Sequence, residues 1–142
     1  MDKYIDSNIC PLPWNHLEVD VNGGASPCCL YKGSIPGVKV YEQSLKSIQQ
    51  NKYMEILRKQ FRNGERPKGC SNCWQEEDAG KTSKRMNSIY KMRSSLTDWT
   101  PNSEPTLKFI DFKLGNVCNL KCRICGSWSS SKWAQEELDY GE

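Results

Sequence analysis

The sequence predicts a small α+β protein, in which a cysteine-rich module of a β-hairpin and helices precedes a further strand, a cysteine loop and the start of a helix. Three observations predict this class. Residues 17–31 alternate around a turn, residues 44–63 and 71–93 have helical patterns, and an apolar stretch at 106–114 precedes three clustered cysteines. The predicted organisation is a module at 1–93, a linker at 94–105 and a second part at 106–142.

Length and composition limit the classes of protein to consider. The chain has 142 residues, enough for one ordinary domain or two small ones, and 37% of them are hydrophobic. No run approaches the roughly 20 apolar residues that span a bilayer, and no apolar segment follows the charged N-terminus as in a secretory signal. Basic and acidic residues are interleaved, with a net charge of +3. We therefore expect a cytoplasmic protein that binds neither membranes nor nucleic acid.

The eight cysteines are the most informative feature of the composition. Without an export signal they indicate a reducing compartment, where disulfides do not persist and clustered thiols hold metals instead. Metal–ligand bonds can also supply folding free energy that a thin apolar core does not. The cysteines form two groups, the first spread over residues 10–73 and the second confined to residues 118–125.

The first predicted element is the β-hairpin. Apolar and polar residues alternate from Leu17 to Val21, as in a half-buried strand, and Asn22-Gly23 supplies a turn pair that tolerates positive φ. The return strand is predicted over 25–31. Because successive strand side chains point to opposite faces, Cys28 and Cys29 cannot easily serve one metal. One of them is expected to be a ligand and the other a packed thiol.

Two helical segments follow the hairpin. In the first, Ser44 and Asn51 are suited to be N-caps, the apolar residues share a face, and Asn63-Gly64 ends the pattern. The second, residues 71–93, consists mostly of good helix formers, although Gly80 weakens its middle.

Two polar features of the sequence are not assigned to a binding or catalytic site. His16, the only histidine, falls on the polar side of the first strand and is expected to be a surface or hydrogen-bonded structural residue, with a substitute ligand as the alternative. The basic run Lys81–Arg85 is predicted to be a solvated helix face, since it lacks the upstream glycine of a phosphate-binding loop.

The last elements begin after a stretch at 94–105 that is rich in hydroxyl residues and holds two prolines, which predicts a connector. Residues 106–114 then predict a parallel strand buried on both sides. Its apolar residues lie on both faces, with Leu107 and Phe109 on one and Ile110, Phe112 and Leu114 on the other. Gly115-Asn116 is expected to end the strand, and a helix is expected to start at Ser129–Leu138.

The second cysteine group has the spacing Cys118-x-x-x-Cys122-x-x-Cys125. Three thiolates in a short loop can converge on one inorganic centre. A structural zinc site needs four protein ligands, whereas an iron–sulfur cube held by three leaves one iron open. A zinc site with a distant fourth ligand is the alternative.

This motif after a strand resembles the cluster-binding motif of the radical S-adenosylmethionine (radical SAM) superfamily, as do the flanking Gly115-Asn116 and Asn119-Leu120. Ile124 departs from the aromatic residue that is usual before the third cysteine. The resemblance implies that Cys118, Cys122 and Cys125 hold a [4Fe–4S] cluster at the start of a partial (β/α) barrel. It also implies that the open iron binds S-adenosylmethionine, and that an electron from a donor cleaves it to methionine and a 5′-deoxyadenosyl radical.

The first cysteine group contains Cys70-Ser71-Asn72-Cys73, which alone fits half a zinc site, a redox pair or two cluster ligands. With Cys10 and Cys28 it resembles the auxiliary-cluster modules called SPASM and twitch, as do Cys10–Trp14 and the Cys73-Trp74 pair. The resemblance implies one auxiliary [4Fe–4S] cluster on Cys10, Cys28, Cys70 and Cys73, used for electron transfer or substrate placement, with Cys29 left over. A zinc ribbon using the same thiols is the alternative.

The resemblance also bears on what the whole chain does. A radical SAM barrel needs several further β/α units, so we expect an N-terminal part, truncated after the first barrel strand, that lacks full activity alone. A partner chain could supply the remaining barrel, and peptides are the substrate class suggested by the architecture. The rival hypothesis is a non-catalytic zinc or iron–sulfur module that acts in interaction or electron delivery.

Overall fold

The computed structural model of the chain describes residues 2–115, 117–118, 120–128 and 130–140. The chain forms two compact units, Met1–Phe112 and Lys113–Glu142. The first contains a three-stranded sheet and most of the helices, which confirms the predicted α+β class.

The sheet consists of β1 (His16–Val19), β2 (Ala25–Ser26) and β3 (Phe109–Phe112), in the order β2-β1-β3. Strands β1 and β2 are antiparallel, which confirms the predicted hairpin. Strands β1 and β3 run parallel, with His16 opposite Phe109 and Val19 opposite Phe112. A strand from the start of the chain therefore pairs with one nearly a hundred residues later.

The hairpin is shorter than the sequence predicts, because the return strand ends at Ser26 instead of Tyr31. Pro27 follows directly and has no N–H to donate to a partner strand. The turn is organised by Asp20, whose side chain accepts hydrogen bonds from the backbone N–H groups of Asn22 (2.8 Å) and Gly24 (3.0 Å). Gly23 has the predicted positive φ, at +84°.

The helices are α1 (Leu12–Asn15), α2 (Leu45–Gln49), α3 (Lys52–Arg62), α4 (Ser71–Asp78), α5 (Lys84–Met92) and α6 (Ser131–Asp139), with 3-10 turns at Asp2–Tyr4, Lys68–Cys70 and Arg93–Leu96. The predicted N-caps are confirmed. The side chain of Ser44 accepts from the N–H of Ser47, and that of Asn51 from the N–H of Tyr53. Gly64 follows α3 with a φ of +74°, and Gly80 separates α4 from α5.

The core of the first unit forms where α1, α3, α4 and α5 meet. Met54, Leu57 and Phe61 lie on one side of α3, at the spacing of a buried helical stripe, and all three are buried. Trp14, at 1% exposure, lies with its ring centroid 6.5 Å from that of Phe61. Cys10, just before α1, and Cys73, in the first turn of α4, belong to the same buried cluster.

The stretch predicted as a connector packs against this core. Leu96 is buried, and the Trp99 ring makes edge contacts with Trp14 at 5.4 Å and Tyr4 at 5.3 Å between centroids. The hydroxyl-rich composition concealed two large apolar side chains whose burial requires the segment to stay close to the core.

Strand β3 has the predicted parallel direction but not the predicted burial. Its approach is fixed by Thr106 and Lys108, whose N–H groups each donate to a carbonyl of α1 at 2.8 Å. The second face is exposed, with Ile110 at 36% and Phe112 at 52%, so the prediction of two buried faces is wrong for the described residues. The apolar side chains there have no covering layer within the described part of the first unit.

The second unit contains the second cysteine group and α6. Strand β3 ends at Phe112, so the predicted strand 106–114 is too long and Gly115, with φ at +114°, does not end it directly. Asn116 and Asn119, which flank the predicted motif, and Ser129, the predicted helix start, lie outside the described residues. The predicted helix is confirmed from Ser131 onward. Across the described ranges, no helix combines the length and apolar content needed to cross a membrane.

Candidate metal centre

Four of the predicted ligands line one small cavity in the first unit. They come from three separate segments of the chain and are Cys10, Cys28, Cys70 and Cys73. The other walls of the cavity include Leu12, Leu30, Phe61 and Trp74, which are apolar or aromatic. We call this cavity and its four thiols the N-terminal site.

Local structure positions each of the four cysteines at the N-terminal site. Cys10 directly precedes the proline-rich start of α1, which gives it a rigid entry. Cys28 lies in a turn closed by the N–H of Tyr31, which donates to the Cys28 carbonyl at 3.2 Å. Cys70 ends a 3-10 turn and Cys73 lies three residues on in α4, so both face the same side.

The Cys28 turn is joined to the Cys70 segment by backbone contacts. The N–H of Lys32 donates to the carbonyl of Gly69 at 2.8 Å. Gly69 lies under the Tyr31 ring so closely that a Cβ there would stand 2.4 Å from ring carbons. A glycine beside Cys70 therefore lets two ligand-bearing segments approach each other.

The thiols of the N-terminal site are electrostatically unusual. Burial raises the pKa of Cys10 well above its ordinary value, that of Cys28 to about 11 and that of Cys70 to about 12, and neighbouring thiols add to each rise. The Cys10, Cys28 and Cys70 thiols are therefore neutral at pH 7 without a cation, and binding a metal there must release protons. Four thiols and apolar walls suit a centre that stabilises thiolates and is shielded from water.

Two basic residues that the sequence places on a solvated helix face also reach this cavity. Lys84 and Arg85 are among its lining residues. Arg85 is 2% exposed, so the prediction that Lys81–Arg85 is a solvated face is wrong for Arg85. A signal was present, because Ser88 and Ile89 lie three and four residues further on and share its buried face.

Two other candidates do not line the N-terminal site. Cys29 is exposed, so the expectation of a packed thiol is wrong, because the chain has left the strand before Cys28 and the alternation of faces no longer applies. His16 is buried, and its Nδ1 lies 2.9 Å from the carbonyl oxygen of Pro27. It is a hydrogen-bonded structural histidine at the base of the hairpin.

The second cysteine group, which we call the C-terminal loop, covers Cys118 to Cys125 in the second unit. Cys118 and Cys125 are half-buried and Cys122 is exposed. The N–H of Leu120 donates to the sulfur of Cys118 at 3.4 Å, and that of Cys125 to the carbonyl of Cys122 at 3.0 Å. These short-range bonds turn the loop back on itself.

Helix α6 supports the C-terminal loop with side-chain hydrogen bonds. The Ser131 hydroxyl accepts from the N–H of Cys118 at 3.1 Å, and Trp133 Nε1 donates to the Cys122 carbonyl at 3.1 Å. Lys121 of the loop forms an ion pair with Glu136 of α6. Gly126 is buried beside Trp128, whose ring would lie 2.1 Å from a Cβ at that position.

The chemistry of the two donor sets fits iron–sulfur clusters. Four thiols can ligate every iron of a four-iron cluster, and three leave one iron without a protein ligand. Among the residues that the structure describes, no three cysteine, histidine or acidic side chains are grouped closely enough to hold a single metal ion.

Comparison with known families identifies the first group. Residues 10–74 match the model of the SPASM family, an iron–sulfur cluster-binding domain. The match covers all four cysteines of the N-terminal site and less than half of the chain. No curated protein and no solved structure matches the chain. The predicted SPASM module is thus confirmed at residues 10–74, and its chemistry is iron–sulfur cluster binding.

Proposed function

We propose that the N-terminal site binds one [4Fe–4S] cluster through Cys10, Cys28, Cys70 and Cys73. The observation that carries this proposal is the convergence of four thiols from three segments on one cavity within the matched domain. Sulfur ligands alone do not separate iron from zinc, but the family match favours iron–sulfur chemistry.

The surroundings of the N-terminal site suit an auxiliary cluster. Phe61 and Trp74 are buried and keep water from one side of the cavity, which slows loss of a bound cluster. Four protein ligands leave no iron open for substrate, so such a centre transfers electrons or places a substrate nearby. Arg85 adds positive charge to the wall, which suits an anionic group.

We further propose that the C-terminal loop holds a second [4Fe–4S] cluster through Cys118, Cys122 and Cys125, as in radical SAM enzymes. When bound, a cluster with one open iron supplies a coordination site for S-adenosylmethionine and an electron for its reductive cleavage to methionine and a 5′-deoxyadenosyl radical. The chain's own part is to hold the loop, which Ser131 and Trp133 do through the backbone of Cys118 and Cys122. An electron donor and a peptide substrate complete the proposed reaction.

The exposed edge and face of β3 support pairing of this strand with further strands. Strand β3 is the last strand in the sheet order among the described residues, and its own side chains Ile110 and Phe112 are exposed. Unpaired strand edges and apolar faces are stable only when covered. Additional strands paired along β3, with a layer packed on its exposed face, on this or another polypeptide, would provide that cover.

The test is anaerobic reconstitution of the purified chain, followed by measurement of iron, acid-labile sulfide and zinc. Two four-iron clusters predict about eight iron and eight sulfide per chain. Adding S-adenosylmethionine to the reduced protein should change the electron paramagnetic resonance spectrum of one cluster and leave the other unchanged. One zinc per chain without labile sulfide would contradict both cluster assignments and favour a non-catalytic zinc module.

A further inference from the structure

We propose that Arg85 is a positioning residue that holds Cys10 and the Cys70–Cys73 segment at the spacing of one cluster, and that its charge tunes that cluster's reduction potential. The inference rests on the proposed function of the N-terminal site. It concerns a residue that lies outside the matched range 10–74.

Arg85 uses its whole guanidinium in buried contacts. Nη1 donates to the carbonyl oxygens of Tyr4 at 2.9 Å and Ile9 at 2.8 Å, and Nη2 donates to that of Ile5 at 3.0 Å. Nε and Nη2 also bind the two carboxylate oxygens of Glu77, at 2.8 and 2.9 Å. The planar guanidinium matches this arrangement, which a lysine cannot reproduce with a single nitrogen.

On one side, these contacts position Cys10. The carbonyl oxygen of Ile9 belongs to the peptide group that joins Ile9 to Cys10. A hydrogen bond to it therefore limits rotation immediately before the thiol. The bonds to Tyr4 and Ile5 hold the preceding segment, which makes no regular strand or helix pairing after Tyr4.

On the other side, Arg85 contacts α4, the helix whose first turn contains Cys73. Glu77 lies four residues after Cys73, on the same face of α4. The hydroxyl of Ser83, the N-cap of α5, donates to the same carboxylate. Arg85 thus connects the segment of Cys10 to the helix of Cys73 through one buried ion pair.

Arg85 also reaches the cavity that the four thiols share. Arg85 lines the cavity together with Trp74, and its guanidinium carbon lies 5.7 Å from the Trp74 ring centroid. An iron–sulfur cluster on four thiolates is anionic and becomes more so when reduced. A buried cation stabilises the reduced form, while the partner carboxylate of Glu77 opposes it, since local charge sets cluster potentials.

The chain offers a matched control in Arg66. It also pairs with an acidic residue of α4, Asp78, at 2.8 Å, and its guanidinium carbon lies 5.2 Å from the same Trp74 ring. Its side chain is 41% exposed, in contrast to 2% for Arg85. Replacing either arginine with lysine keeps the charge and removes the guanidinium geometry.

The first measurement is the rate at which a chelator removes iron from the reconstituted N-terminal site. We expect Arg85→Lys to release iron about tenfold or more faster than the wild-type chain, the usual range for residues that orient metal ligands. Arg66→Lys should stay within about twofold, as expected of an exposed pair. Equal rates for the two variants would overturn the positioning role.

The second measurement is the reduction potential of the same cluster. Glu77→Gln removes the opposing charge and should raise the potential, whereas Arg85→Gln should lower it. A residue that only stabilises the fold would not move the potential in opposite directions for the two partners. Unchanged potentials overturn the tuning role, and Glu77→Gln decides this alone if Arg85→Gln does not fold.

The two proposals fail in different ways. A wild-type chain without labile sulfide overturns the proposed function and the inference with it. A chain that binds the cluster but shows the same iron release for Arg85→Lys and Arg66→Lys overturns the inference alone.

Discussion

The two cysteine groups of this chain are built in opposite ways. The N-terminal site gathers Cys10, Cys28, Cys70 and Cys73 from three segments through long-range packing, and Cys10 and Cys73 are buried. The C-terminal loop brings its three cysteines together within eight residues of sequence, held by bonds to its own backbone and to α6.

The difference extends to their surroundings. The N-terminal site has walls from its own unit, whereas several apolar residues of the C-terminal loop and its flanks are strongly exposed, with Val117 at 95% and Ile124 at 96%. A site with its own walls carries its environment with it. A loop with exposed apolar neighbours has no such walls among the described residues of its own unit. Perturbing the core of the first unit should therefore affect one site and spare the other.

The largest expected effect comes from removing a ligand of the N-terminal site. Cys70→Ala should abolish cluster binding there and remove about four iron per chain, because three thiols from separate segments no longer close the site. The neighbouring exposed thiol is the control. Cys29→Ala should retain all the iron, measured together with labile sulfide after anaerobic reconstitution. Equal iron loss in both variants would contradict the assigned ligand set.

A smaller but still large effect is expected from the core residue that forms a wall of the site. Phe61 is fully buried, so Phe61→Ala should lower the free energy of unfolding by about 3–5 kcal/mol. Urea unfolding measures this change. Ile56→Ala, at a position on the same helix that is 51% exposed, should change it by about 0.5 kcal/mol or less.

The same pair of variants sharpens the comparison between sites. Phe61→Ala should increase the rate at which a chelator removes iron from the N-terminal site. The rate of iron release from the C-terminal loop should stay unchanged, and Ile56→Ala should change neither rate. Equal increases in the rates of iron release from both sites would show that both depend on the core of the first unit, which would contradict their different construction.

Gly69→Ala tests the close approach of two ligand segments at moderate cost. The new methyl group would displace the Tyr31 ring, and crowding of this kind costs about 1–3 kcal/mol. We expect weaker iron retention at the N-terminal site. Adding Tyr31→Ala makes room and should restore part of the loss. Additive losses in the double variant would place the defect elsewhere.

The smallest expected effect is the loss of folding stability at acid pH through the carboxyl group of Glu77. Burial acts to raise the pKa of Glu77, but hydrogen bonds from Arg85 and Ser83, with charge from Arg85 and Arg66, outweigh it and hold that pKa below its usual value. A lowered folded-state pKa contributes stability above the ordinary pKa of about 4.3, which is lost as the pH falls through the folded-state value.

The wild-type chain should therefore lose more stability than Glu77→Gln when urea unfolding is compared between neutral pH and a pH below that range. Equal acid sensitivity of the two chains would show that the Glu77–Arg85 pair adds nothing to the folded state.

Local features could be predicted from the sequence with good success. Ser44, Asn51 and Gly64 act within one or two turns of their own position, so residue type alone determines the caps. The grouping of Cys10, Cys28, Cys70 and Cys73 around one cavity was also predictable, because their spacing resembles that of the family model that residues 10–74 match.

Features that depend on distant contacts were not predictable. Arg85 belongs to a basic run that looks solvated, and its helical spacing to Ser88 and Ile89 is only a weak signal of a buried face. The carbonyls of Tyr4, Ile5 and Ile9 that bind it lie some eighty residues away in sequence. The exposure of Cys29 follows from an early end of β2 that strand alternation cannot anticipate.

The most direct test is the cluster content of a chain in which Cys118, Cys122 and Cys125 are all replaced by alanine. After anaerobic reconstitution it should contain about four iron and four labile sulfide, and adding Cys73→Ala to it should remove them. Zinc in place of iron and sulfide, or a cluster that survives Cys73→Ala, would contradict the assignment of the N-terminal site.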